Sequence, residues 1–130
     1  MSDTARILES DESCPLLSLI NGEGEARAVA WPGVGSNLRS MARIKLAAVS
    51  RTITMNHPME AVYYVIGGDG QVVDSDAASS QPLIRGSMAH IEPGTTYTFV
   101  AGAAGMELIG GPCPPDPALY RELGSQVQGG

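Results

Sequence analysis

The chain has 130 residues, enough for one domain with a sizeable core. Its net charge is −6, and its eight Lys and Arg residues are scattered without a basic run, which argues against a nucleic-acid partner. The apolar runs are far too short to span a bilayer, and Met1-Ser2-Asp3-Thr4 opens no basic segment followed by an apolar one, so a cytoplasmic protein with no membrane partner is expected.

Residues 1–13 are polar and acidic and read as a flexible arm. Cys14-Pro15-Leu16-Leu17-Ser18-Leu19-Ile20 is a short apolar segment ended by Asn21-Gly22, and its early proline suits an edge strand. It has no obvious partner strand nearby in sequence. Glu25–Trp31 reads as a second short strand, with Trp31 expected as a half-buried cap at a barrel end. Gly33–Asn37 is a loop: it lacks the Lys-Ser/Thr of a phosphate-binding loop. In Met41–Val49, Ile44, Leu46 and Ala48 share one face and Arg43 and Lys45 the other, the pattern of a half-buried antiparallel strand. Arg51–His57 is again extended. A side-chain period of two predicts that Ile53, Met55 and His57 look the same way.

Val62–Ile66 has the β-branched and aromatic content of a strand. Gly67-Gly68-Asp69-Gly70 reads as a hairpin, with Gln71–Asp74 returning. Asp74–Pro82 reads as a polar connector. Met88–Ile91 is the next strand. Glu92-Pro93-Gly94-Thr95 is a turn, with Glu92 facing solvent. Thr96–Val100 alternates strongly, so Tyr97 and Phe99 look inward together. Ala101–Gly105 reads as a small-residue turn before a last strand, Met106–Gly110. The prolines of Pro112–Pro117 cannot donate to a sheet ladder and end the barrel. Asp116 is placed to cap a short helix with Pro117 at its first position and Gly124 as its stop. These signals divide the chain into an arm (1–13), one barrel domain (14–124) and a flexible tail (125–130). Many short strands between Gly/Pro turns, with no helical period before residue 117, predict an all-β barrel or double-sheet jelly roll with a short C-terminal helix. Two cysteines, Cys14 and Cys113, make no disulfide framework and read as two small, partly buried thiols.

Two blocks within His57–Phe99 resemble the two signature motifs of the cupin superfamily. In the first, His57-Pro58 and Tyr63-Tyr64-Val65-Ile66-Gly67-Gly68 match a histidine followed by proline and a strand ending in glycine. In the second, Gly86, Pro93, Gly94 and Phe99 fit the frame without a gap. The resemblance implies a barrel with its site inside. It also implies four metal-ligand positions, and here Met55, Ala61 and Tyr97 stand at three of them; a shifted alignment puts Glu60 at the glutamate position instead.

Three functional readings follow. Two histidines and a carboxylate supply the atoms for a divalent transition metal, and His57, His90 and Glu60 are the candidates. Alternatively, the resemblance extends to metal-free isomerases and epimerases, in which a histidine base and a tyrosine acid move protons; His57 with Tyr97 or Tyr63 fills those roles, with His90 as a further catalytic candidate. The third reading is a non-catalytic pocket lined by Met55, Val65, Met88 and Phe99 that binds a small organic ligand. The metal-free enzyme, of isomerase, lyase or cyclase type, is preferred because three expected ligands are replaced. A small molecule is the expected partner, and a homodimer the expected assembly.

Overall fold

The computed structural model describes residues 5–123. The expected stop at Gly124, the tail and the first four residues of the arm lie outside them. Nine strands follow one another: β1 (Leu16–Leu17), β2 (Ile20–Asn21), β3 (Gly24–Ala30), β4 (Met41–Leu46), β5 (Arg51–Thr52), β6 (Glu60–Asp74), β7 (Ser79–Ile84), β8 (Met88–Ile91) and β9 (Tyr97–Cys113). Short 3₁₀ helices lie at Pro32–Val34 and Pro117–Leu123. Every pairing is antiparallel. Among the described residues no helix is long and apolar enough to cross a membrane.

Two long strands carry the architecture. β6 and β9 pair along almost their whole lengths, from Glu60↔Cys113 to Asp74↔Tyr97. The register shifts twice, between Val65 and Gly67 and between Gly68 and Gly70. On one side of these bends the first half of β6 pairs with β8, and the second half of β9 pairs with β4, which continues to β3 and β1. On the other side the second half of β6 pairs with β7, and the first half of β9 leads to β5 and β2. The two strands therefore turn the corner between two faces of a curled sheet, the device by which orthogonal sheets share strands. The fold is the expected all-β, double-stranded β-helix.

This corrects two expected turns. Gly67–Gly70 and Ala101–Gly105 are corners inside continuous strands rather than hairpins. Their glycines serve the close approach of the strands: a Cβ on Gly68, whose φ is +71°, would lie 2.1 Å from the Gly105 carbonyl oxygen. The true hairpin comes later, at residues 75–78, where Asp74 Oδ1 accepts the backbone N–H groups of Asp76 and Ala77. The polar connector then continues as β7 despite Pro82, a strand that pairs on one side only and so tolerates proline.

Other elements depart in smaller ways. The Leu16–Ile20 segment finds its partners inside the chain, β1 on β3 and β2 on β5, so it supplies no argument for a second copy. Thr52 is buried while Ile53 is 40% exposed, so Ile53 does not share a face with Met55 and His57. The cause is a local irregularity: Thr52 Oγ1 accepts the Phe99 N–H, and Ile53 donates its own N–H to Leu19. Trp31 is buried rather than half-buried and packs on Tyr120 of the C-terminal helix, ring centroids 5.3 Å apart. Cys14 and Cys113 are free thiols of intermediate burial.

The inner faces meet in a core built on Ile44, Val65, Phe99 and Leu108, all shielded from solvent. Each such side chain stabilises the fold by roughly 1.5–3 kcal/mol through burial. The corner geometry makes a sharp prediction. Gly68→Ala combines a positive φ with a backbone clash, whereas Gly86→Ala (φ +95°) meets nothing within 4 Å. In urea titrations Gly86→Ala should lose about 1–2 kcal/mol, the left-handed backbone cost alone, and Gly68→Ala distinctly more. Equal losses would show that the corner does not depend on the close approach.

Candidate active site

His57 sits in the segment that continues β5 along β9. Met55 and Tyr97 exchange both backbone hydrogen bonds at 2.8 Å, and the His57 carbonyl accepts the Gly94 N–H. Asn56 fixes the same stretch from outside by donating to the Gly94 carbonyl and to Thr96 Oγ1. The histidine is thereby held with its ring inside, 4% exposed.

A buried imidazole must have both nitrogens partnered, and here both are. Nδ1 lies 2.7 Å from Asp116 Oδ2, and Nε2 lies 2.8 Å from Tyr97 Oη. Tyr97 Oη is in turn 2.7 Å from Tyr63 Oη. Asp116 Oδ1 accepts the Ala118 N–H at 3.0 Å, so its carboxylate acts as acceptor on both oxygens. The His57 Nδ1–H donates to Asp116; with the imidazole neutral, Nε2 accepts the Tyr97 hydroxyl and Tyr97 accepts the Tyr63 hydroxyl, and with it protonated the bond to Tyr97 runs the other way. Burial pushes the hydroxyls of Tyr63 and Tyr97 well above the ordinary tyrosine range, and for Tyr97 the neighbouring Tyr63 adds to the effect. Both phenols are protonated at neutral pH.

The cluster touches two separate spaces. Tyr97 forms part of the wall of a cup of about 530 Å³, whose apolar wall includes Val72, Leu83, Ala89 and Ile91. His57 and Asp116 border a smaller, open lateral cleft of about 230 Å³, lined also by Leu19 and Leu119 and by Ser18 and Glu122, which share a hydrogen bond of 3.0 Å. The His57–Tyr97 bond joins residues that border different spaces.

The sequence candidates are thus sorted by the fold. His57, Tyr97 and Tyr63 come together. His90 does not: β8 alternates, so Ala89 and Ile91 face in while Met88 and His90 face out. His90 instead pairs with Glu60 across the outer face at 2.7 Å, both side chains more than half exposed, and Met88 is 67% exposed beside Tyr64. These two reach the cup only at its rim. Val65 and Phe99 were expected to line a cavity but fill the packed core, and Met55 borders the lateral cleft. The proposed ligand set of His57, His90 and Glu60 does not fit a metal. His57 has both nitrogens engaged inside the barrel, the other two pair on its outer surface, and no group of three His, Cys, Asp or Glu side chains is arranged to hold an ion among the described residues.

Asp116 was missed as a site residue. Its sequence signal, an aspartate before proline, marks a helix cap, and the structure shows that role at Oδ1. Nothing in a 59-residue separation announces that Oδ2 meets His57.

No family model matches the chain, and no curated protein does. Solved structures do. A cupin-like protein from Thermotoga maritima is similar at 16% identity and a TM-score of 0.67, over 87% of this chain and 82% of that one. A predicted oxalate decarboxylase from the same organism gives 20% identity and 0.69, over 84% and 99%. The polyketide cyclase RemF from Streptomyces resistomycificus gives 18% and 0.66, over 95% and 97%. The fold of this chain is that of the cupin superfamily.

The buried phenols give the protein an alkaline signature. Below about pH 10 the tyrosines are protonated in both folded and unfolded chains, and their contribution to stability is fully present. Above it the unfolded chain releases protons that Tyr63, Tyr97 and Tyr120 retain when folded, so stability falls as pH rises. The slope reaches about 1.4 kcal/mol per pH unit for each of Tyr63 and Tyr97, and Tyr120 acts in the same direction. Urea titrations between pH 8 and 11 should show this fall, shallower in Tyr63→Phe and Tyr97→Phe; a slope indifferent to both substitutions would mean that these hydroxyls are not shielded.

Proposed function

We propose that this protein is a small-molecule enzyme of the isomerase, lyase or cyclase type, working by proton transfer through Tyr97 and His57. The observation that carries this reading is the unbroken hydrogen-bond chain from Tyr63 through Tyr97 and His57 to Asp116. A purely structural histidine needs two acceptors or donors of any kind. This one has a carboxylate behind it and a hydroxyl before it, the arrangement in which an oriented imidazole activates an O–H group. The cup is also of ordinary ligand size, whereas the lateral cleft is small for that purpose.

The chemistry is a two-way relay. The relay requires that Tyr97, wholly buried when the cup is empty, be reached from the cup; a substrate C–H beside a carbonyl then gives its proton to Tyr97 Oη as the Tyr97 hydroxyl proton passes to His57 Nε2. The imidazolium so formed is stabilised by Asp116. Because burial opposes a free phenolate, the two transfers are concerted: Tyr97 never carries the charge alone. Returning the proton to a different atom gives an isomer. Returning it to a departing hydroxyl gives elimination, and bond formation by the carbanion within the same molecule gives ring closure. Asp116 is a positioning residue that sets the tautomer of His57, and Tyr63 orients Tyr97 by donating to it. The fold similarity to a polyketide cyclase supports the class of chemistry without supplying the substrate.

Proton abstraction can be followed directly, whatever the product. Small carbonyl compounds are incubated with the protein in D₂O, and replacement of the C–H by deuterium is followed by mass spectrometry. Exchange should fall at least about 100-fold in Tyr97→Phe and in His57→Ala, the usual weight of a positioned acid/base. In Asp116→Asn it should fall less, with the substrate concentration for half-maximal rate unchanged. Exchange that survives both Tyr97→Phe and His57→Ala, or compounds that bind without exchanging, would remove the relay from the protein's function.

A further inference from the structure

The charge lining of the cup points to its ligand. Resting on the acid/base reading above, we infer that the cup accepts uncharged or cationic carbonyl compounds and rejects anionic ones. Phosphorylated and carboxylated substrates are thereby excluded as a class.

The argument starts from where the cations are. All eight Lys and Arg residues lie within the described part of the chain, and none lines the cup. Arg27 and Arg43 are held in ion pairs with Glu25 and Glu107 on the outer face of β3, β4 and β9, and Lys45 stands on the same face. Arg6 donates to the Val34 carbonyl. Arg39, Arg51, Arg85 and Arg121 are exposed elsewhere. The remaining cationic candidate at the rim, His90, is turned outward onto Glu60.

The anions are distributed oppositely. Asp74 and Glu92 both line the cup, and no Lys, Arg or His pairs with either among the described residues. The Asp74 carboxylate is fixed at the wall, because its Oδ1 accepts two backbone N–H groups from the following turn. An entering anion would lose its hydration, meet two like charges and find no cation in exchange. A neutral or cationic molecule meets no such penalty. The rest of the lining suits it: apolar wall from Val72, Leu83 and Ile91, with Ser79, Gln81 and Thr95 to take hydroxyl or carbonyl groups.

The probes are matched acetophenones bearing a para substituent of hydroxymethyl, aminomethyl or carboxylate. Binding is read from the amide shifts of Val72, Ala89 and Ile91 in wild type and in Tyr97→Phe. The neutral and cationic ketones should bind in the cup at least about tenfold more tightly than the carboxylate, in both proteins. The double variant Asp74→Asn/Glu92→Gln should narrow that gap, while added salt narrows it in wild type. Equal or tighter binding of the carboxylate, a gap unchanged in the double variant, or no perturbation of the cup by any of the three would overturn the inference. The outcome is separable from that of the relay. Charge selection without deuterium exchange would sink the relay and leave this inference standing, and equally fast exchange of the carboxylate would do the reverse.

Discussion

The interior of this barrel depends on the satisfaction of one buried imidazole. His57 and Tyr97 are shielded from water, and leaving a polar group unpartnered there costs about 1–3 kcal/mol. Asp116 ends the chain of donors with a charge that only accepts. Remove it and the direction of every bond behind it is undetermined. With it, Nδ1–H of His57 is held on Asp116, and for the neutral ring one orientation of Tyr97 and one of Tyr63 follow. Asp116 also caps the C-terminal 3₁₀ helix, whose Tyr120 packs on Trp31. The same carboxylate thus ties the site to the closing element of the fold.

The long strands bring these residues within reach. Tyr63 lies before the corner of β6 and Tyr97 before that of β9. Their strands pair along their lengths, yet Tyr63 opposes Gly110 and Tyr97 opposes Asp74. Only because both strands bend do the two hydroxyls meet at 2.7 Å across the interior. The small residues at the corners are therefore part of how the site is built. Phe99 meets Tyr63 and Tyr97 edge-on and the two tyrosines are tilted to each other, with centroids 4.7–6.0 Å apart, an arrangement favourable for aromatic rings. It fills the space behind the hydroxyls and keeps them dry.

Alternation along strands was the most legible signal. It placed Ile44 and Leu46 inside, Tyr97 and Phe99 together, and Arg43 and Lys45 outside, but Ala48, expected beside Ile44 and Leu46, lies past the end of β4 and is exposed. It failed where a ladder is irregular, at Thr52 and Ile53, because a side-chain hydroxyl replaces a backbone acceptor there. Glycine clusters were read as hairpins because local chemistry does not distinguish a chain reversal from a strand that turns between two sheet faces. That distinction is set by a partner some 40 residues away. His57 was visible through its motif and Tyr97 through its position within another. His90 has motif context too, but its face depends on the β6–β8 register, which no local pattern fixes. Asp116 carried a readable capping role that concealed its second one.

The cup and the relay share an electrostatic logic. In the proposed relay, proton uptake through Tyr97 leaves positive charge on His57 next to Asp116, inside a protein of net charge −6. The Asp74 and Glu92 carboxylates at the cup contribute a field of the same sign as Asp116. An anionic substrate would add to that field but would first have to enter against it. A neutral carbonyl compound enters without that cost, and the developing oxyanion meets no Lys or Arg there, since none lines the cup and His90 at its rim is engaged by Glu60. Such a site suits acids whose conjugate bases spread charge over several atoms, as enolates of aromatic or conjugated ketones do. It suits localised oxyanions poorly, because they require a cation or several convergent N–H groups. If the proposed relay operates, this arrangement of charge constrains not only which molecules enter but which of their protons it can remove.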